Sequence, residues 1–185
     1  TVKAALKLPD PLFNIRLTPP PAATPRFIDL SDALPNSPAA RSMVQELAEG
    51  LSAKEARIAP KFFYNALGSR LFEAITTLDE YYPTRTEAGI FDTHQAHIAQ
   101  TLAEAGLPHP CLIDLGAGNC AKAQALIPHL QPRQYVPVDI SVDFLKASAG
   151  QLQNSFPALD IVGVGMDFSA SLALPAEVQN HDRVF

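Results

Sequence analysis

The sequence predicts an α/β protein whose core is a parallel sheet with helices on both faces, and three observations carry that expectation. First, short apolar runs alternate with helical patterns after residue 110. Cys111–Leu115, Tyr135–Asp139 and Ile161–Val164 read as strands, with helices over Lys122–Leu130 and from Ser141 to about Leu152 between them. Strands joined by crossovers of that length pair in parallel. Second, the first run closes on Gly116-Ala117-Gly118, the strand-to-helix turn of nucleotide-binding sheets. Third, Asp114, Asp139 and Asp167 fall at or just before strand ends, on the rim where such sheets hold ligands. The fold class is therefore Rossmann-like.

The elements before this sheet divide into two parts. Residues 1–37 form a proline-rich arm, with Pro9, Pro11, Pro19, Pro20, Pro21, Pro25 and Pro35, and no regular element is expected there beyond a turn or two. Residues 38–106 form a helical, substrate-side subdomain. Ser37-Pro38 reads as a cap and first helical residue, and Met43, Val44, Leu47 and Leu51 then share one helical face to about Leu51. Phe62, Phe63, Leu67, Leu71, Phe72 and Ile75 recur at helical spacing, with a break expected near Gly68-Ser69, where Ser69 caps the next helix. Thr84-Arg85-Thr86-Glu87 is a capping-box pattern, opening a helix that carries Ile90, Phe91, His94, Ile98 and Leu102 inward and ends near Gly106. Residues 107–185 form a partial ligand-binding domain, with Val184-Phe185 as the start of a fourth strand. So few strands leave a sheet edge unpaired, an aggregation liability. Either the sequence is part of a longer one, or something, such as a second copy or a companion chain, covers that edge.

Composition narrows the partners. With 185 residues and 47% hydrophobic content the chain can bury one substantial core. Its net charge of −5 offers no general attraction to nucleic acid, so small molecules are the expected partners. No apolar run approaches the roughly 18–20 residues of a membrane span, and no secretory leader is evident, which predicts a cytoplasmic protein without membrane partners. Cys111 and Cys120 have no C-x-x-C arrangement; Cys111 reads as a small core residue and Cys120, in the glycine turn, as bordering a ligand. The pair His94 and His97 assigns no metal.

The glycine turn also points to a cofactor. A dinucleotide's pyrophosphate seeks bare backbone N–H groups and a helix N-terminus, and Asp114, two residues before the first glycine, sits poorly beside that anion. S-adenosylmethionine presents an ammonium and a sulfonium instead, so the same carboxylate becomes an asset. Two alternatives remain open on the motif. Gly116, Gly118 and Ala121 with Asp139 also satisfy the fingerprint of an NAD-dependent oxidoreductase, and two glycines suffice for a plain turn.

On the methyl-donor reading, Gly116 and Gly118 admit the methionine portion, Asp114 or its neighbours hold its ammonium, and Lys122 reaches its carboxylate. Asp139 accepts the ribose hydroxyls, Asp167 accepts from the adenine amino group, and Phe168 offers a ring to the adenine face. Displacement at a sulfonium needs alignment and an unprotonated acceptor but no protein nucleophile, so no catalytic side chain is assigned. The acceptor pocket falls to Lys61-Phe62-Phe63-Tyr64 and Tyr81-Tyr82-Pro83-Thr84-Arg85.

The segment from Lys61-Phe62-Phe63-Tyr64-Asn65-Ala66-Leu67-Gly68-Ser69-Arg70-Leu71-Phe72 to Glu80-Tyr81-Tyr82-Pro83-Thr84-Arg85-Thr86-Glu87 resembles the histidine-specific Nα-methyltransferases of ergothioneine biosynthesis. So do the glycine turn, Tyr135-Val136-Pro137-Val138-Asp139-Ile140-Ser141 and Gly165-Met166-Asp167-Phe168, and the likeness extends over about residues 55–185. The resemblance implies successive methyl transfers from S-adenosylmethionine to the α-amino nitrogen of histidine, giving its betaine. It also implies that Tyr64, Phe72 and Tyr81 line the amino-acid pocket, while Gly116, Lys122, Asp139, Asp167 and Phe168 hold the donor. Asn65 stands where the family commonly has an acid. The family continues past a fourth strand into a second lobe that supplies much of the substrate site, and this sequence lacks it. A non-catalytic module that binds the donor or docks a separate chain is the expectation from another class.

Overall fold

The computed structural model describes residues 23–31, 38–169 and 171–185. Its centre is a five-stranded, all-parallel sheet in the order β1-β4-β3-β2-β5. The expected strands are there as β2 (Cys111–Leu115), β3 (Gln134–Asp139) and β4 (Asp160–Gly165), joined by α4 (Ala121–Leu130) and α5 (Val142–Ser155), and Arg183–Val184 forms β5 beside β2. Pairing in parallel buries both faces of the middle strands, so β3 reads in burial as an almost continuous core segment rather than an alternating one. The β3–β4 register skips the positions opposite Val162 and Gly163, where Pro137 has no N–H to give.

Side chains alternate across this sheet into two cores. Leu112, Tyr135, Leu145 and Ile161 pack with Ala123, Leu126, Ile127 and Leu130 of α4 and with Ala149 and Leu152 of α5. Ile113, Val136, Val138, Val162 and Val164 pack on the opposite face with Met166 and Val178. Each large side chain so buried contributes about 1.5–3 kcal/mol relative to exposure. Right-handed crossovers that step along the sheet in one direction, from β2 to β3 to β4, put α4 and α5 on the same face. Helix α3 (Pro83–Glu104) joins them there through Phe91, Ile98, Ala99 and Leu102. Among the described residues the second face is covered by the chain after β4, through Met166, Phe168, Leu174 and Val178, instead of by a helix as the expected layers had it.

The arm supplies a correction. A strand, β1 (Arg26–Asp29), pairs in parallel with β4 in the register Phe27 to Gly163, and Leu30 extends it by donating to the Gly165 carbonyl at 2.7 Å. The edge of β4 that the sequence left open is therefore covered by the chain itself. Four residues after a proline carry too little pattern to announce a strand; the partner dictates it. Gly163 leaves the space that the Phe27 ring fills, since a Cβ there would lie 2.5 Å from that ring. Arg26 adds a two-pronged contact to Asp160 at 2.8 and 3.0 Å.

Three helix expectations also change. The segment before α3 is a short 3-10 turn (Pro60–Phe63) followed by one unbroken helix, α2 (Ala66–Thr76), not two helices parted at Gly68-Ser69. Gly68 is a point of close approach: a Cβ there would stand 1.5 Å from the Phe63 carbonyl oxygen. The cap is Asn65, whose side-chain oxygen accepts the Gly68 N–H at 2.8 Å, and asparagine serves there as well as an acid does. Helix α3 starts at Pro83 with no side-chain cap, so the capping box is not formed. Within α3, Ile90 and His94 face outward, one step aside from the Phe91–Ile98–Leu102 stripe. The first helix, α1 (Pro38–Ser52), has the expected span, while the proposed cap Ser37 lies outside the described residues. Its apolar side chains, such as Val44 at 68% exposure, are left largely uncovered.

The β1 docking has a direct check. Gly163→Ala forces the Phe27 ring to shift and is expected to cost about 1–3 kcal/mol in urea unfolding, with faster amide exchange over residues 26–30 while β2 and β3 stay protected. Unchanged stability and exchange would refute the packing described.

Candidate active site

The carboxyl end of β3 organises the rim of the sheet. The Val138 carbonyl accepts the N–H groups of Gly116 and Ala117 at 2.9 and 3.1 Å, and the Asp139 carbonyl accepts from Met166 at 3.0 Å. The Asp139 carboxylate takes the Gly118 N–H on Oδ2 at 3.0 Å and the Ser141 N–H on Oδ1 at 2.8 Å. These bonds fix the loops that follow β2, β3 and β4 relative to one another. Gly116 and Gly118 hold φ of +74° and +53°, conformations that side chains disfavour, so the turn requires its glycines.

A cavity of about 480 Å³ opens on this rim, a size proper to a small-molecule site. One wall comes from the sheet: Gly116, Gly118, Lys122, Asp139, Asp167 and Phe168 all line it. The facing wall comes from the helical part and includes Tyr64 and Phe72. The structure thus brings together eight of the ten residues singled out as binding. The Tyr64 and Phe72 rings meet edge to face, with centroids 6.1 Å apart.

Asp114 and Tyr81 stand off the cavity wall. Asp114 shares a face of β2 with Leu112, toward the helix-covered core, and its side chain is only 13% exposed. Its Oδ2 accepts the hydroxyl of the fully buried Tyr135 at 3.0 Å, and Lys122 Nζ lies 3.9 Å from Oδ1. Burial pushes the Asp114 carboxyl up, against the pull of Lys122 and the Tyr135 hydroxyl. Lys122 also lies 3.7 Å from Glu87, so it stands between two carboxylates. Tyr81 packs edge-on against Phe72, with ring centroids 5.7 Å apart. Cys120 does not border the cavity either. It holds the left-handed φ of +61° at the head of α4, and burial raises its thiol to about 11 against the pull of the Tyr135 hydroxyl.

Several further residues line the cavity, most of them in places their sequence patterns do not announce. Ser69 is buried in α2 and its hydroxyl donates to that of Ser141 at 2.9 Å, a direct tie between the helical part and the sheet. Ser141 heads α5 as expected but spends its hydroxyl there rather than on its own helix. Glu87, expected in a capping box, lines the cavity instead, as do Glu73 and Phe144. Of these, Phe144 is findable as an aromatic in the first turn of a rim helix. Lys61, in the segment expected to supply the acceptor pocket, lines the cavity as well, with Nζ 2.7 Å from Glu46 and 3.1 Å from Asp167. Burial raises the Asp167 carboxyl, but the hydrogen bonds from Ser169 and Lys61 outweigh it and hold the group below the usual range.

These residues fit S-adenosylmethionine. The glycine turn leaves backbone open beside the Phe168 ring, since a Cβ at Gly116 would point at that ring from 3.9 Å. Carboxylates crowd the wall, which suits hydroxyl, amino and ammonium donors and opposes a pyrophosphate. Among the described residues no helix is long and apolar enough to cross a membrane.

Comparison with known proteins agrees with this geometry. Residues 43–185 match the family described as histidine-specific methyltransferase, SAM-dependent. The chain is 34% identical over 149 residues to a histidine N-alpha-methyltransferase of Mycolicibacterium smegmatis, covering 78% of this chain and 45% of that protein. It is 33% identical over 132 residues to the enzyme of the same name from Mycobacterium tuberculosis, covering 69% and 40%. A shorter stretch of 76 residues is 36% identical to ergothioneine biosynthesis protein 1 of Schizosaccharomyces pombe, covering 41% of this chain and 10% of that protein. The chain therefore spans under half the length of these curated relatives. With the dinucleotide alternative set aside by the match, this chain belongs to the family of histidine-specific, S-adenosylmethionine-dependent methyltransferases.

Proposed function

We propose that the protein binds S-adenosylmethionine in the rim cavity and methylates the α-amino nitrogen of histidine. The observation that carries this reading is the meeting of two walls in one cavity: the glycine turn and strand-end acids on the sheet side, and Tyr64 and Phe72 on the helical side. Donor and amine must lie in line for displacement, and a single cavity shared by both sets of residues meets that need.

Each residue has a part that follows from its chemistry. Asp139 already spends one acceptor position of each oxygen on a backbone N–H, and its remaining positions suit two neighbouring hydroxyls such as those of a ribose. Asp167 suits the adenine amino group and Phe168 the adenine face. Lys122 serves the methionine carboxylate, and Asp114 works from behind the turn by holding Lys122 and fixing the charge balance there. Tyr64 and Phe72 enclose the amino acid, with Tyr81 buttressing Phe72. The chemistry that a bound donor supplies is an electrophilic methyl group on a sulfonium. The protein's task is to exclude water, to align the amine and to let it shed its proton before attack.

A second reading, donor binding without turnover, is favoured by the openness of the acceptor side, where Tyr64 and Phe72 are each 38% exposed. Two measurements separate the readings. In calorimetry, S-adenosylhomocysteine is expected to bind and NAD to bind far more weakly. Asp139→Asn is expected to weaken the former about tenfold, ~1.4 kcal/mol for one charge-assisted hydrogen bond; tight NAD binding would contradict the donor assignment. In mass spectrometry with isotope-labelled donor, histidine is expected to gain labelled methyl groups on its α-nitrogen. Label on another amino acid with none on histidine would overturn the substrate, and donor binding with no labelled product would favour the second reading.

A further inference from the structure

Lys61 makes a connection that the donor and amine roles do not require. It projects from the 3-10 turn at Pro60–Phe63, and its Nζ bridges Glu46 of α1 at 2.7 Å and Asp167 at the end of β4 at 3.1 Å. The Lys61 and Asp167 side chains are each about one quarter exposed, so that arm of the bridge is partly shielded, while the Glu46 arm is half exposed. The other oxygen of Asp167 is occupied as well, since Oδ1 accepts both the N–H and the hydroxyl of Ser169. An ionised carboxylate offers about four acceptor positions and no donor. Ser169 uses two and Lys61 one, which leaves a single open position on Oδ2 at the cavity.

That state has a consequence for recognition. A carboxylate kept ionised, with one open acceptor position, accepts an N–H and repels a carbonyl. It therefore distinguishes a purine bearing a 6-amino group from one bearing a 6-oxo group. Without the ammonium, Oδ2 loses its fixed partner, and Asp167, held by Ser169 at Oδ1 alone, can swing Oδ2 away from the cavity and admit either purine. We infer that Lys61 is the positioning residue for purine selection: tied back to α1 through Glu46, it holds Asp167 as an ionised acceptor with one position open to the nucleoside. This rests on the donor-site reading above and adds the specificity device to it. It also links the helical part to the donor side of the cavity, because the same ammonium seats α1.

The test compares the binding of S-adenosylhomocysteine with that of its deaminated counterpart, S-inosylhomocysteine, by calorimetry. Wild-type protein is expected to prefer the adenine compound by tenfold or more. Lys61→Met keeps the alkyl stem and removes the charge; it is expected to lose about tenfold in affinity for the adenine compound with little change for the other, so that the preference collapses. Lys61→Arg keeps a cation within reach and is expected to restore the preference. Glu46→Gln is expected to cost two- to fivefold in adenine affinity, the range of a half-exposed ion pair.

A wild-type preference retained in Lys61→Met overturns the inference, even if the variant melts at a lower temperature, because a merely structural strap would lower stability without touching the ratio. Should Lys61→Met fail to fold, Lys61→Gln carries the same comparison. No change in Glu46→Gln overturns the tie to α1. Wild-type protein that binds neither compound overturns the donor-site reading and this inference together, an outcome distinct from the loss of Lys61's role alone.

Discussion

The end of β3 holds the rest together. Val138 and Asp139 donate nothing to this arrangement; they accept. Through one carbonyl and one carboxylate they take the N–H groups of Gly116, Ala117, Gly118 and Ser141, and through the Asp139 carbonyl that of Met166. β3 lies third of five in the sheet, between β2 and β4, so it can reach the loops that follow both neighbours. Hydrogen bonds from backbone to an ionised side chain are worth about 1.5–3 kcal/mol each when partly buried, more than the neutral kind. The glycine turn keeps its left-handed geometry because the same two residues hold it at three points.

The energetic support for that rim is unevenly distributed. Below it, two layers of buried side chains on β2, β3 and β4, aliphatic on one face and centred on Tyr135 on the other, support the sheet. Beside it, α1 and α2 contribute little buried apolar surface, and Leu67 and Leu71 are 66% and 56% exposed. The α1–α2 part of the wall is therefore fastened to the sheet side mainly by polar ties, among them the Ser69–Ser141 hydroxyl pair, the Lys61 bridge to Asp167 and the Asn119–Glu73 contact. A few polar ties are weaker than a packed face, which makes the helical wall the softer part of the site. The sheet builds one wall of the cavity, and the helical part is attached to it.

How far the sequence could be read follows from which interactions are local. Strands buried on both faces stand out as apolar runs, and β2, β3 and β4 were legible to within a residue or so. The strand-end acids and glycines were legible because the turn that bears them is set by residues a few positions apart. Strand β1 was not, because Arg26–Asp29 is a strand only by virtue of the β4 edge and the hollow at Gly163. Gly68 looks like a helix stop in the sequence because the tertiary reason for it, the Phe63 carbonyl, is invisible to periodicity. Asp114 was placed at the cavity by its position at a strand end. Alternation along β2 puts it on the same face as Leu112, and that signal was there to be used. The Lys61 bridge joins residues over a hundred positions apart, and no local pattern announces it.

The central claim is that the Asp139 clasp presents its free acceptor positions to the ribose of a methyl-donor nucleoside. A crystal structure of the protein with S-adenosylhomocysteine tests this most directly. The account predicts both ribose hydroxyls on the Asp139 carboxylate, with its bonds from Gly118 and Ser141 intact and the adenine between Asp167 and Phe168. A nucleoside seated elsewhere, or a ribose held by another carboxylate while Asp139 serves only its own loops, would contradict it.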